Sequence, residues 1–516
     1  MTSKLETTCE TSLNSYLGQK GYTVLKKELT PEQCAQIKKD LVAKPLTQSA
    51  PGLGPPPITF PIYRESPNKF YMPRYYGEQK FGKPKSVQIP EGDPINLTFS
   101  GSLRENQIPV VETYLAHVNT SLGGGGLLEL FCGFGKTCLA LYICARLKKK
   151  TLIIVHKEFL LNQWVERISE FLPAAKVGRI QGQIIDIEDK DIVIGMLQSL
   201  SMKDYPDTMF SSFGLTIIDE VHHISSEVFS QALFKIVTFH TLGLSATMDR
   251  KDGTTSVFKM FLGDILYKSK REEDQSVVVR GIEYISNDHE FNEVPTDWRG
   301  NLQYSTLIGK LCTFNHRSEF ILKVLKDMIQ QNPQQQIMII AHNRNLLTYL
   351  YDAIEHRKIA TVGYYVGGMK EKALKESESK MVIIATYSMA AEGLDVRSLS
   401  ALIMATPKTD IEQTVGRILR EKHSSPIIVD IIDKHDTLQN QWRKRKTFYK
   451  KQNYKIICTN SLDYNPDVSK WSQEKEKTNK SFKKCFRDFE DKNSISGAGI
   501  GIGRCLIKIP KQDHKI

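Results

Sequence analysis

From Gly101 onward, short apolar runs recur along the chain. Leu127 to Phe131, Thr151 to Val155, Asp191 to Gly195, Leu215 to Asp219 and Thr241 to Ser245 form the first series. Helix-length amphipathic segments such as Gln163 to Phe171 separate them. Short β-branched runs alternating with helices predict a parallel sheet built from βαβ units. The pattern stops in the charged segment Lys268 to Asp274. It resumes with Gln336 to Ala341, Thr361 to Val366, Met381 to Thr386, Ala401 to Ala405 and Pro426 to Ile432. Two successive α/β domains are expected, with no internal sequence repeat between them.

The flanks read differently. Thr30-Pro31-Glu32-Gln33 is a capping box with proline at the first helical position, predicting a short helix through Val42. Residues 51 to 90 hold nine of the 21 prolines, too many for a helix. They also interleave Phe60, Tyr63, Phe70, Tyr71, Tyr75, Tyr76 and Phe81 with Arg64, Lys69, Arg74, Lys80, Lys83 and Lys85. That mixture can stack bases and pair with phosphates. The favoured reading is plainer: the aromatics form the core of a small β-rich domain. Near the other end, Asp436 to Asn453 predicts a helix with Leu438, Trp442 and Tyr449 facing inward. Its run Arg443-Lys444-Arg445-Lys446 fans around the axis, as a solvated helix would, with a nuclear-import signal as the alternative. Gly497-Ala498-Gly499-Ile500-Gly501-Ile502-Gly503 imitates a dinucleotide loop without βαβ context, so a flexible or β-like terminal segment is expected.

Length and composition narrow the classes. A chain of 516 residues should hold three or four domains. No apolar run approaches the ~20 residues that span a bilayer. The opening MTSKLETTCET lacks the pattern of a secretory signal. Nine scattered cysteines without a CxxC pair argue against a disulfide scaffold or a structural zinc site. A soluble, intracellular, multidomain protein is expected. The net charge of +12 is uneven: residues 441 to 516 carry 19 Lys+Arg against 8 Asp+Glu, and residues 1 to 100 carry +4. Residues 101 to 440 are therefore slightly acidic, at −3. A basic end on a near-neutral centre hints at a polyanion such as nucleic acid. The basic end itself reads either as an accessory phosphate grip or as a solvated tail.

The apolar centre carries chemistry. The run ending at Phe131 leads into Cys132-Gly133-Phe134-Gly135-Lys136-Thr137 and then an apolar helix. Strand, glycine turn and helix make a phosphate-binding loop, whose backbone N–H groups and helix N-terminus meet anionic oxygens. Lys136 would reach the β/γ phosphates and Thr137 would hold Mg²⁺. Leu130 stands where the usual loop begins with glycine. Further on, Leu215-Thr216-Ile217-Ile218 ends in Asp219-Glu220-Val221-His222. A carboxylate at the end of such a strand can meet nucleotide-bound Mg²⁺, the role given to Asp219, while Glu220 would deprotonate the attacking water. Gln413-Thr414-Val415-Gly416-Arg417-Ile418-Leu419-Arg420 places two arginines three apart, on one helix face. Aimed at a γ-phosphate, they would neutralise charge in the transition state.

With Ser245-Ala246-Thr247, these motifs resemble the superfamily 2 helicases in content and order. The resemblance implies two tandem RecA-like parallel-sheet domains, a small N-terminal α+β domain and a basic C-terminal extension. The corresponding boundaries are 1–100, 101–275, 300–455 and 456–516. It also implies that Gln107, in Leu103-Arg104-Glu105-Asn106-Gln107, contacts adenine. His156 to Trp164, Gly178 to Gly182 and Met196 to Leu200 resemble segments that grip one strand's backbone. Ile340-Ala341-His342-Asn343 resembles the fourth family motif, and Ile384-Ala385-Thr386 through Glu392-Gly393-Leu394-Asp395 the fifth. Gly133, Phe134, Gly135, Lys136, Thr137, Gln107, Gly393 and Asp395 would contact ATP. Lys136, Asp219, Glu220, Gln413, Arg417 and Arg420 would be catalytic, and Thr137 and Asp219 would hold Mg²⁺.

The Cys-Gly-x-Gly-Lys loop, DEVHH, Tyr71 to Gly77 and Met248-Asp249-Arg250-Lys251-Asp252-Gly253 resemble the XPB-like branch. That branch includes the poxvirus transcript-release helicase and its relatives in large DNA viruses. Lys251 departs from the branch, which has an acid there. The expectation is an ATP-dependent DNA helicase or translocase moving 3′ to 5′ in transcription, repair or recombination. The rivals are an ATP-dependent RNA helicase and a nucleotide-binding scaffold that does not hydrolyse. Nucleic acid, DNA before RNA, is the expected partner, with transcription machinery a further candidate and no membrane. A viral member would work in host cytoplasm, nucleus or virion.

Overall fold

A computed structural model of the chain describes residues 13–45, 59–223, 226–248, 253–269, 277–392, 394, 396, 398–419 and 425–473. The expectations for Gly393, Asp395, Arg420, Asp249 to Asp252 and Gly497 to Gly503 fall outside these residues.

Two eight-stranded sheets form the body of the molecule. The first runs, edge to edge, Ile184–Ile185, Val177–Gln181, Ile192–Met196, Thr151–Val155, Leu215–Ile218, His240–Ser245, Gly124–Glu129 and Ile265–Lys268. The second runs Val362–Tyr365, Val382–Thr386, Gln336–Ala341, Leu399–Met404, Ile427–Asp433, Val278–Tyr284, Lys455–Asn460 and Ser472–Gln473. Each is parallel except for one antiparallel edge strand. Their inner strands are buried along their length, as helices on both faces require. The expected pair of RecA-like domains is present.

The strand Gly124–Glu129 begins earlier than its apolar run suggests, because three glycines open it. A Cβ at Gly125 would lie 1.9 Å from Thr241 Oγ1, and one at Gly126 2.3 Å from Leu266 Cδ1. The strand is squeezed between its neighbours, and glycine lets the backbone in. The second sheet extends past the point where the sequence places a basic extension. Residues Lys455–Asn460 and Ser472–Gln473 add two strands to it.

The N-terminal residues form a five-stranded sheet with the helices Pro31–Asp40 and Arg74–Phe81. The capping box closes as expected: Gln33 N donates to Thr30 Oγ1 at 3.2 Å, and Thr30 N to Gln33 Oε1 at 2.9 Å. Phe60, Phe70 and Tyr76 are buried with Tyr22, Ile37 and Met72, and Tyr63 and Phe81 pack half-buried against them, so most of these aromatics serve the core. Arg74 docks this unit on the first large sheet. Its guanidinium donates to Leu122 O at 2.9 Å, Gly123 O at 3.2 Å and Phe239 O at 3.3 Å, while Nε meets Glu78 at 2.7 Å.

In the second domain the helix Asp436–Lys451 buries Leu438, Trp442 and Tyr449. One member of its basic run is buried as well. Arg445 meets Asp430 through two hydrogen bonds, at 2.7 and 2.9 Å, and donates to Lys408 O at 3.0 Å. Tyr449 O–H donates to Asp430 Oδ2 at 3.1 Å. A second internal pair, Arg317 and Asp433, is likewise bidentate at 2.7 and 2.8 Å with both side chains fully buried. Such pairs are geometrically demanding, and removing one partner strands a charge. Asp430→Ala should therefore lower the stability of this domain by ~3–5 kcal/mol. Lys444→Ala, on the exposed side of the same helix, should change it by less than about 0.5 kcal/mol. Chemical denaturation of the two variants checks this; equal losses would contradict it.

Candidate active site

In a parallel α/β sheet the loops that can hold a ligand gather at the carboxyl ends of the strands. Here the strand Gly124–Glu129 turns into the phosphate loop, and the helix Lys136–Leu147 begins directly after it. Gly135 sits at φ +92°, and a Cβ there would lie 2.5 Å from Gln107 Nε2. Glycine is needed for both reasons. Gln107 is buried beneath the loop. Its amide donates to Phe134 O at 2.8 Å and accepts from Arg104 N at 2.9 Å. The structure thus gives Gln107 a loop-bracing contact that the sequence reading did not anticipate. Leu130, in the place of the usual glycine, is fully buried and donates its N–H to Ser245 O at 2.8 Å.

The strand Leu215–Ile218 delivers the acidic pair to the same edge. Lys136 Nζ lies 3.2 Å from Glu220 Oε1, with side chains only 13% and 15% exposed. Burial would lower the lysine pKa, but Glu220, Cys132 and Asp219 outweigh it and hold the ammonium above its ordinary range. Asp219 moves the other way. Burial, then the charge of Glu220, push its carboxyl up, against the pull of Lys136. Asp219 is held at both oxygens: Trp164 Nε1 donates to Oδ2 at 2.9 Å and Glu220 N to Oδ1 at 2.9 Å. Glu220 itself adopts φ +48°, a conformation that costs a non-glycine residue ~1–3 kcal/mol and concentrates at functional sites.

The second sheet presents the helix Glu412–Arg417 to this edge. A Cβ on Gly416 would stand 2.6 Å from Cys132 Cβ, so that helix lies directly on the phosphate loop. Arg417, next in sequence, is buried and donates to Leu394 O at 2.9 Å. Gln413 Nε2 reaches His222 Nε2 at 2.8 Å, across the domain boundary. An amide N–H can only donate, so His222 Nε2 accepts and Nδ1 carries the ring proton. Nδ1 then donates to Ser245 Oγ at 2.6 Å, and the serine hydroxyl donates to Thr247 O at 2.5 Å. One directed path joins the arginine helix, the acidic box and the Ser-Ala-Thr segment. Asn162 to Glu371 at 3.1 Å and Lys375 to Glu166 also join the two domains.

Lys136, Asp219 and Glu220 thus meet at the strand ends, Gly133 to Thr137 form the adjoining loop and helix start over Gln107, and Gln413 reaches His222 from the other domain, whereas the hydrogen bond of Arg417 goes to Leu394 O in its own domain. Sequence reasoning missed Trp164 as a clamp on Asp219 and His222 as the cross-domain link. The first histidine of DEVHH was visible, but a partner 191 residues away was not. Among the described residues no cluster of three or more His, Cys, Asp or Glu side chains could hold a metal. The donor set still suits Mg²⁺, which takes one or two protein oxygens and completes its shell with phosphates and water. Two carboxylates facing one ammonium leave a negative excess that such an ion would relieve.

On the same edge of the first sheet, Gly182 N donates to Ser199 Oγ at 2.9 Å. This ties together two of the segments expected to grip a strand. In the second domain, His342 N donates to Thr406 Oγ1 at 3.0 Å and its ring Nδ1 meets the same hydroxyl at 2.9 Å. Burial pulls His342 down to about 4, with Lys408 adding to the effect.

Comparison with known proteins agrees with this arrangement. Residues 100–250 match the family model of the type III restriction enzyme res subunit, and residues 321–422 that of the helicase conserved C-terminal domain. Acanthamoeba polyphaga mimivirus L396, provisionally named an ATP-dependent RNA helicase, is 34% identical over 84% of this chain and 85% of its own. QP509L of African swine fever virus (isolate Kenya/KEN-50), with the same provisional name, is 30% identical over 64% of this chain and 69% of its own. Among solved structures, S. cerevisiae Dbp5 bound to RNA and ADP BeF3 shares the fold. Its TM-score is 0.50 at 11% identity, over 70% of this chain and 91% of that one. No helix among the described residues is long and apolar enough to cross a membrane. The motif series, the paired sheets and these relatives together make the chain a member of the superfamily 2 helicases, NTP-hydrolysing enzymes, related to those of large DNA viruses.

Proposed function

We propose that the chain is an ATP-driven DNA translocase or helicase, moving 3′ to 5′, that serves transcription, repair or recombination. The observation that carries the motor reading is the path Gln413–His222–Ser245–Thr247, which joins one domain's arginine helix to the strand-end edge of the other, where a strand would be gripped. ATP would lie in the cleft. The N–H groups of Gly133, Phe134 and Gly135 and the ammonium of Lys136 would bind its phosphates. Lys136 is also the partner of Glu220 at 3.2 Å, so phosphate oxygens compete for that ammonium. As Lys136 turns to phosphate, Glu220 is released to take a proton from the attacking water. Arg417, with Arg420, would neutralise the γ-phosphate from the second domain. Gly393 and Asp395 would contact the nucleotide by family resemblance. Thr137 and Asp219 would hold Mg²⁺, which neutralises charge on the β- and γ-phosphates when bound.

A ligand held by groups of both domains favours the closed arrangement by its differential contacts, and hydrolysis removes them. Nucleic acid would lie along the strand-end edges, on Gly178 to Gly182 and Met196 to Leu200 in the first domain and on His342, Asn343 and Thr386 in the second. The DNA reading draws support from the restriction-enzyme description of the model matching residues 100–250. The provisional names of the mimivirus and swine fever virus relatives favour an RNA reading.

ATP turnover measured with single-stranded DNA, double-stranded DNA or RNA separates the two: DNA should stimulate it, and stimulation by RNA alone would sink the DNA reading. Glu220→Gln should lower turnover by roughly 10²–10⁴-fold, the range a positioned general base supplies. ATP affinity should stay within a few-fold. Wild-type turnover in that variant would remove Glu220 from the role of base.

A further inference from the structure

The chain has four tryptophans. Trp164, Trp442 and Trp471 are buried, whereas Trp298 is 85% exposed. An indole left in water forgoes the largest burial gain open to a side chain, so its display calls for a reason.

The loop that carries it is tightly built. Thr296 and Leu302 pair as an antiparallel bridge, and Gly300 N donates to Asp297 O at 2.9 Å to close a turn around Trp298 and Arg299. Gly300 takes φ +78°, the left-handed position that ends such turns. The Asp297 carboxylate accepts from Arg299 N at 2.8 Å, Asn301 N at 2.8 Å and Asn301 Nδ2 at 3.1 Å. These bonds hold its carboxyl below the usual range, the contacts from Asn301 foremost. At the base, Lys310 Nζ donates to Glu293 O at 2.9 Å. Arg299 lies 4.3 Å from the Trp298 ring centroid. A tip bound this closely fixes the backbone that presents the indole, with a cation beside it.

Its place in the fold is also defined. The strand Val278–Tyr284 leads to it through the short helix His289–Asn292, whose Phe291 packs on Phe314 at 4.4 Å and on His435 at 5.8 Å. His435 follows the strand Ile427–Asp433. Both strands are parallel to Gln336–Ala341 and Val382–Thr386 across the sheet. The hairpin therefore leaves the same edge of the second sheet as His342, Asn343 and Thr386.

We propose that Trp298 is a base-stacking post, on which a nucleobase of the tracked single strand rests, with Arg299 adding charge toward the backbone. Every base has a π-face, so such a contact is indifferent to sequence, as a tracking enzyme needs. This rests on the nucleic-acid motor reading above. Trp298 belongs to no part of the ATP site, so its replacement should leave turnover without nucleic acid and the thermal midpoint unchanged.

The test titrates the full chain with oligothymidylate, oligouridylate and an abasic strand of equal length. Strand binding is followed by anisotropy of a labelled strand and Trp298 by its solvent-exposed emission. The base-bearing strand should quench that emission in the wild type, and the abasic strand should not. W298A should bind the base-bearing strand roughly 5- to 150-fold more weakly, the worth of one base–aromatic stack. W298F should recover most of the affinity, and none of the variants should differ on the abasic strand. A bound strand without quenching, or W298A binding as the wild type does, overturns the post. Binding and quenching by oligouridylate alone would uphold the post and reject the DNA reading. Failure of the wild type to bind either strand would reject both.

Discussion

Two carboxylates, one buried and one half-buried, share one ammonium, and much of the site answers to that imbalance. Lys136 sits 3.2 Å from Glu220, and Asp219 beside them is pushed upward by burial and by its neighbour's charge. A low-dielectric pocket amplifies each of these charges. Left alone, the surplus would be relieved by a proton or by rearrangement. The fold instead fixes it: Trp164 and the Glu220 N–H hold Asp219 at both oxygens, and the backbone holds Glu220 at φ +48°. The result is a site where a cation, together with phosphate oxygens competing for Lys136, would relieve the surplus in the proposed reaction.

That demand explains why the arginine helix comes from another domain. A guanidinium resident beside Glu220 would satisfy the surplus permanently. Brought by a second sheet, it can be made conditional. Gly416 approaches Cys132 as closely as a residue without Cβ permits, and Gln413 checks the position through His222. The second sheet can deliver its helix accurately because its own interior is pinned by the buried pairs Arg445–Asp430 and Arg317–Asp433. Small movements at the cleft are then passed on by rigid bodies instead of being absorbed.

The parts of this arrangement that were legible in sequence are the local ones. Strand–loop–helix order, DEVH at a strand end and the apolar face of Asp436–Lys451 all follow from periodicity or from short-range chemistry. The capping box at Thr30 closed as written. What sequence left open depends on distant partners. Arg445 looks like its neighbours Arg443 and Lys444, and only the fold shows that Asp430 waits for it. Trp164 reads as a helix residue until the strand Leu215–Ile218 brings Asp219 to it. The strand Val278–Tyr284 carries its own β-branched run, but its place between Ile427–Asp433 and Lys455–Asn460 depends on partners far along the chain. The Gly124–Gly126 stretch looks like a turn and is a strand, because its neighbours lack room for side chains.

The central claim is that His222 and Gln413 act as one device joining the two domains. A double-mutant cycle on nucleic-acid-stimulated ATP turnover measures it, using His222→Ala, Gln413→Ala and the pair. If the path works as a unit, the double variant should lose no more stimulation than the worse single variant, with a coupling energy of about 0.5–3 kcal/mol. Losses that simply add would mean that the two side chains act separately, and the proposed link between hydrolysis and grip would be contradicted.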